Sequence, residues 1–167
     1  MLDQLTLRKL IEFAVTTEEI GGAFYNRMAR KFAEDAEVGP VFAQLGKDEQ
    51  IHREQFAKLL DSVPASYDDQ VDYERAQYLR AMAISEFFSP ARGPLAKADQ
   101  VTDAGQALTY ALKLEKATLA YYQAMRDELA DASALESIIA AEKQHLVRLM
   151  KVITTGARFR GLQDDWP

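Results

Sequence analysis

Two Glu-x-x-His tetrads, Glu49 to His52 and Glu142 to His145, contain both histidines of the chain. Positions three apart on a helix lie on nearly the same face, so a carboxylate and an imidazole at this spacing can grip one cation from the same side. With 13 glutamates among 167 residues, the chance that both histidines carry a glutamate three positions upstream is about 0.6 percent, treating positions as independent. A single tetrad is most often an ordinary core or surface histidine. Two tetrads, each downstream of another candidate carboxylate, Glu18 and Glu115, point instead to a two-metal site inside a helical bundle.

The chain repeats itself around these residues. Sliding it by 97 positions superimposes Phe13, Ala14, Glu18, Phe24, Tyr25 and Met28 on Tyr110, Ala111, Glu115, Tyr121, Tyr122 and Met125. The tetrads superimpose at an offset of 93, with Phe56 meeting Leu149. In an antiparallel helical hairpin, residues equidistant from the turn lie at one height. Glu18 and His52 are centred on Asp35, and Glu115 and His145 on Ala130, both beside expected turns. Six ligands, Glu18, Glu49, His52, Glu115, Glu142 and His145, therefore converge on one layer of four helices, the arrangement of a carboxylate-bridged dinuclear centre. Glu19 competes with Glu18 but points about 100° around the helix. It also matches Lys116 in the second half, which selects Glu18. Tyr25 and Tyr122 follow their glutamates by two turns, where a phenol either hydrogen-bonds a ligating carboxylate or packs as a plain aromatic.

Burying an unpaired carboxylate costs several kcal/mol, so four would consume much or all of a domain stability of roughly 5 to 15 kcal/mol. Two divalent cations cancel four negative charges, and neutral histidines add none. Carboxylates facing water would need no metal. The flanking positions Leu45, Phe56, Ile138 and Leu149 are apolar on the same stripes and argue for burial.

Four long helices must hold these residues. The pattern predicts helices over about 6–35, 40–60, 103–129 and 133–155, paired as two antiparallel hairpins in one domain over 1–160. Thr6 is placed as the first N-cap, with Leu5 and Leu10 as a hydrophobic staple; Pro40 suits the first turn of the second helix; Ser133 and Glu136 form a capping box; and Gly156 supplies a left-handed stop. Between the hairpins, about forty residues from Asp61 to Thr102 are too many for a structureless loop. A short helix over 72–88 is expected there, followed by breaks at Pro90, Gly93 and Pro94. This long connection suits a bundle whose crossover returns the chain to its starting end. Met82, Ile84, Phe87 and Phe88 exceed what one surface helix needs, so they either form a dimer contact or cap the bundle. The tail over 161–167 has no readable period.

An apolar content of 48 percent with 28 percent charged residues fits a globular domain, and a net charge of -6 gives no electrostatic footprint for nucleic acid or an anionic membrane. Met1 to Leu10 lacks the apolar run of a signal peptide, and no stretch reaches transmembrane length. A cytoplasmic location is the expectation. Without cysteine, disulfides, thiolate zinc sites, iron–sulfur clusters and cysteine nucleophiles are excluded within this sequence.

These residues resemble the ferritin-like superfamily of di-iron carboxylate proteins, and most closely its rubrerythrin branch, over about 110 residues in four helices. The fold implied is an all-α ferritin-like four-helix bundle of two antiparallel hairpins with a long crossover. The resemblance implies two iron ions per chain, with manganese an alternative, Glu49 and Glu142 bridging, Glu18 and Glu115 terminal, and one histidine on each metal. It implies an oxidoreductase that reduces hydrogen peroxide or dioxygen at a diferrous centre, or an iron-handling ferroxidase that oxidises and hands on Fe(II). Two departures stand out. The cysteine-bound iron of a rubredoxin module has no counterpart, so electrons are expected from a separate donor protein or from substrate iron. The extra glutamate of rubrerythrins one turn past the third-helix ligand is replaced by Thr118. The set looks closer to the symmetric centres of bacterioferritins. A homodimer completes the expected partners.

Overall fold

The computed structural model describes residues 6–63, 73–89, 93–127 and 133–155. The described residues are helical apart from short turns. Helix α1 spans Leu7–Lys31, α2 Gly39–Ser62, α3 Tyr73–Met82, α4 Pro94–Gln100, α5 Ala104–Arg126 and α6 Ser133–Thr155. No helix is long and apolar enough to cross a membrane among these residues.

Each boundary has a local cause. The Thr6 hydroxyl accepts from the Lys9 amide at 3.3 Å and opens α1, relieving one of the first-turn donors. Arg30 and Lys31 occupy the last turn, where positive charge suits the carbonyl end. In the connection to α2, one Asp35 carboxylate oxygen accepts from the amides of Glu37 and Val38 at 3.1 and 3.2 Å. Gly39 then lets the chain fold back tightly, because a Cβ there would come 2.5 Å from the Phe32 carbonyl oxygen. Pro40 fills the first turn of α2. At the far end of this hairpin Arg8 donates to the carbonyls of Leu60 and Val63 at 3.2 and 3.0 Å, tying the start of α1 to the end of α2. The Asp103 carboxylate caps α5 by accepting from the Gln106 amide at 2.9 Å. The α5–α6 hairpin is clasped by Arg126 and Glu136 at 3.4 Å.

The four long helices enclose a core that includes Leu10, Ile11, Phe24, Met28, Phe42, Leu45, Phe56, Leu108, Ile138 and Leu149, all buried. The crossover differs in detail from its expected form. Helix α3 continues into a π-helical turn over Ala83–Phe87, marked by the Phe88 amide donating to the Ala83 carbonyl at 3.0 Å, and this widened turn swings Phe87 inward. The break expected at Pro94 is instead the start of α4, since proline is pre-set for a first helical turn. The first helix also stops at Lys31, short of 35. Phe87 is buried and Phe88 packs on Phe13 with ring centroids 5.6 Å apart. Tyr78 and Ile84 remain more than half exposed. The described residues of the crossover pack mainly on the α1 and α5 side of the bundle. The Leu5 staple contact, Pro64, Asp72, Pro90, Ala130, Gly156 and the 161–167 tail lie outside the described residues.

Candidate metal centre

Helix geometry carries the sequence pattern directly into space. Glu18 comes from α1, Glu49 and His52 from α2, Glu115 from α5, and Glu142 and His145 from α6, and none of the six is more than 3 percent exposed. Single ligand atoms from Glu18, Glu49, His52 and Glu142 lie within 4.8 Å of one another, as do those from Glu49, Glu115, Glu142 and His145. The two groups share Glu49 and Glu142. His52 Nδ1 stands 2.8 Å from Glu142 Oε1 and 3.5 Å from Glu18 Oε2. His145 Nδ1 stands 3.2 Å from Glu142 Oε2, 3.3 Å from Glu115 Oε2 and 3.6 Å from Glu49 Oε1. The imidazoles lie 5.3 Å apart at 27°, so Glu142 reaches one with each oxygen.

Glu19, by contrast, is 63 percent exposed in its side chain and faces Arg53 at 3.7 Å. The one-position difference from Glu18 carries it out of the core. Gly21 of the facing helix lies close beside Glu49, where an added Cβ would sit in van der Waals contact with the Glu49 carboxyl carbon at 3.4 Å.

The tyrosines strap the two halves together crosswise. The Tyr25 hydroxyl of α1 donates to Glu115 of α5, and the Tyr122 hydroxyl of α5 donates to Glu18 of α1. Both phenols are fully buried. They pack as well as bond, Tyr25 stacking on Phe42 with centroids 6.1 Å apart and Tyr122 tilting against Phe56 at 4.9 Å. These aromatic pairs form apolar lids above and below the carboxylate layer.

Electrostatics follow from crowding charges into a dry layer. Burial, then the charges of Glu18 and Glu142, pushes the Glu49 carboxyl well above the usual range. Burial and Glu142 also push Glu115 up, against the opposing pull of His145. Glu142 goes the other way: burial would raise it, but the two histidines on its oxygens hold it below the usual range. Burial disfavours the charged imidazoles, yet Glu142 and Glu18 raise His52 to about 9, and Glu115 and Glu142 raise His145 to about 10. Burial, followed by the charge of the bonded glutamate, keeps both tyrosine hydroxyls protonated.

The donor set fits a pair of cations. Glu18 Oε2, both Glu142 oxygens and His52 Nδ1 are enclosed and have no hydrogen-bond partner of adequate geometry; the short His52–Glu142 approach is an ion-pair distance with poor hydrogen-bond alignment. Such enclosed atoms are costly unless something else satisfies them. Four carboxylates against two divalent ions and two neutral imidazoles also balance in charge.

The ferritin-like domain model matches residues 7–155. The chain belongs to the ferritin-like domain family. A ferritin-like fold is seen in a solved structure from Thermotoga maritima, provisionally described as a ferritin-like diiron-carboxylate protein. The two chains are 24 percent identical, with a TM-score of 0.71 over 89 percent of this chain and 95 percent of that one. No curated protein matches the chain. Membership places this ferritin-like domain in the superfamily whose di-iron carboxylate centres its buried glutamate and histidine cluster resembles.

Two residues around the centre were not singled out from the sequence. Asp48 Oδ2 lies 3.4 Å from His145 Nε2, and Arg148 Nη1 lies 2.5 Å from the same carboxylate oxygen. Their signal was available. Asp48 directly precedes the first tetrad, and Arg148 lies one turn past His145 on the same helix face.

Proposed function

We propose that the six side chains hold a pair of iron ions, and that the protein is a rubrerythrin-like non-haem oxidoreductase reducing hydrogen peroxide or dioxygen. The observation that carries this reading is the sharing of Glu49 and Glu142 between two compact ligand groups, which gives two neighbouring cation seats with carboxylates in common. When bound, the iron pair supplies the reducing electrons and Lewis acidity, although manganese suits the same oxygen and nitrogen donors.

The chain's own part is geometry and dryness. Glu18 and His52 close one seat, and Glu115 and His145 the other. Tyr25 and Tyr122 orient the terminal carboxylates Glu115 and Glu18 through their hydroxyls. Phe42 and Phe56, packed on those phenols, exclude water from the ends of the layer. Protons reside on Glu49, Glu115 and the imidazoles and leave as cations bind. We assign the reductant to a separate electron-donor protein and the working form to a cytoplasmic homodimer. The exposed Tyr78 and Ile84 on the crossover supply apolar surface for pairing.

Thr118, 5 percent exposed, stands one turn past Glu115, where the rubrerythrin pattern carries another glutamate. It favours a second reading, a ferroxidase that oxidises Fe(II) and hands on ferric iron. Iron-loaded protein given a chemical reductant and excess peroxide separates the two. Many peroxide equivalents consumed per chain support the oxidoreductase, whereas a single oxidation with accumulation or release of ferric iron identifies the ferroxidase. Full activity in a Glu142→Ala variant rejects both.

A further inference from the structure

Among the described residues, the α2 and α6 side carries a surface cavity of about 280 Å³ that runs between Asp48, Gln55, Ser137, Gln144 and Arg148 and is floored by His52 and His145. The cleft on the crossover side, lined by Phe24, Lys97, Tyr110 and Lys113, includes none of the six convergent residues. The two histidines, 3 and 1 percent exposed, lie at the base of this shallow passage, which Ile51 and Ala141 also line, while the described crossover residues pack mainly on α1 and α5.

One ion pair spans the mouth. Asp48 accepts from Gln44 at 2.8 Å through Oδ1 and from Arg148 through Oδ2. Arg148 is 47 percent exposed in its side chain and Asp48 18 percent. Beneath them, His145 Nε2 is enclosed without a hydrogen-bond partner and faces Asp48 Oδ2 at 3.4 Å. The same carboxylate oxygen therefore meets a surface cation on one side and the unpartnered Nε2 of a buried imidazole on the other. The guanidinium occupies the place that a divalent cation travelling inward would take.

We propose that this passage is the entry port for divalent cations, with Asp48 their first protein ligand and Arg148 a displaceable latch. The inference deepens the proposed function and rests on its two-metal reading. A cation arriving at the mouth displaces Arg148 from Asp48 Oδ2, an exchange of one positive partner for another that leaves no buried charge bare. It then lies within reach of His145 and the bridging carboxylates. An exposed ion pair is worth little, so the latch costs little to open. The neutral side chains Gln55, Ser137 and Gln144 let ions pass without holding them.

Stopped-flow mixing of metal-stripped protein with Co(II), read by the visible absorption of protein-bound Co(II), tests this through loading rate rather than turnover. Arg148→Ala is expected to load about two- to fivefold faster. Asp48→Asn, lacking the attracting charge, should load about tenfold slower. Gln55→Trp, which narrows the passage without replacing any of the six convergent residues, should also load more slowly. Final stoichiometry in all three should match the unaltered protein, with far-UV circular dichroism confirming the helices. Loading of Gln55→Trp at the unaltered rate, or of both Arg148→Ala and Asp48→Asn, overturns the port while leaving the two-metal reading intact. Failure of the unaltered protein to bind Co(II) overturns that reading and the port with it.

Discussion

Removing either cross-strapping hydroxyl, by Tyr25→Phe or Tyr122→Phe, tests how far the centre is braced before any metal enters. Each phenol is fully buried and donates to a buried carboxylate, so no water can replace the lost donor. The ring remains and its packing on Phe42 or Phe56 is retained. What is lost is one hydrogen bond, about 1 to 3 kcal/mol depending on the charge its acceptor carries. For a chain of this size that corresponds to a fall in Tm of about 2 to 12 °C. With metal present the freed carboxylate is less well oriented, and affinity should drop by about 10- to 100-fold without a change in stoichiometry. Urea unfolding of metal-free protein gives the first quantity and competitive Co(II) titration the second. Tyr78→Phe, on an exposed side chain, is the reference. Buried-site variants as stable as Tyr78→Phe, with unaltered metal affinity, would refute the bracing argument.

The protonation pattern predicts a stability that declines with pH in the metal-free protein. His52 and His145, raised to about 9 and about 10 when folded, contribute fully below their unfolded value near 6.5, and the contribution is lost as pH rises through the folded values. The raised Glu49 and Glu115 act in the same direction, while the depressed Glu142 withdraws its contribution only as pH falls below the ordinary carboxylate range. Urea unfolding at about pH 6, 7.5 and 9 should show falling metal-free stability and a growing increment from Co(II); a flat metal-free profile contradicts the shifts. Gly39→Ala drives a Cβ against the Phe32 carbonyl and should destabilise by about 1 to 3 kcal/mol, measured by urea unfolding; an unchanged midpoint means that the turn relaxes freely. Glu19→Gln, at an exposed position, should leave metal content unchanged by elemental analysis, and loss of one metal would reassign the α1 ligand.

The four long helices and the convergence of six side chains were legible because both depend on one regularity, the period of the helix. Spacing fixed which face Glu18 shares with Tyr25, and the duplication resolved Glu18 from Glu19. What spacing could not show was which phenol meets which carboxylate. Tyr25 bonds Glu115 rather than a residue of its own hairpin, a relation set by the lateral packing of α1 on α5. The crossover was legible only in outline. Its π-helical turn and α4 depend on how Phe87 and Pro94 seat against the bundle, and periodicity carries no record of that contact. The positions of Asp48 and Arg148 beside the two tetrads were legible, but their pairing was not, since it exists only once α2 and α6 bring them together.

Anaerobic titration of metal-stripped protein with Fe(II), followed by the metal retained per chain after gel filtration, bears most directly on the central claim. The account predicts a break at two equivalents and its loss in Glu142→Ala, whose side chain reaches both histidines. Retention of no iron by the unaltered protein, or of two equivalents by the variant, would contradict it.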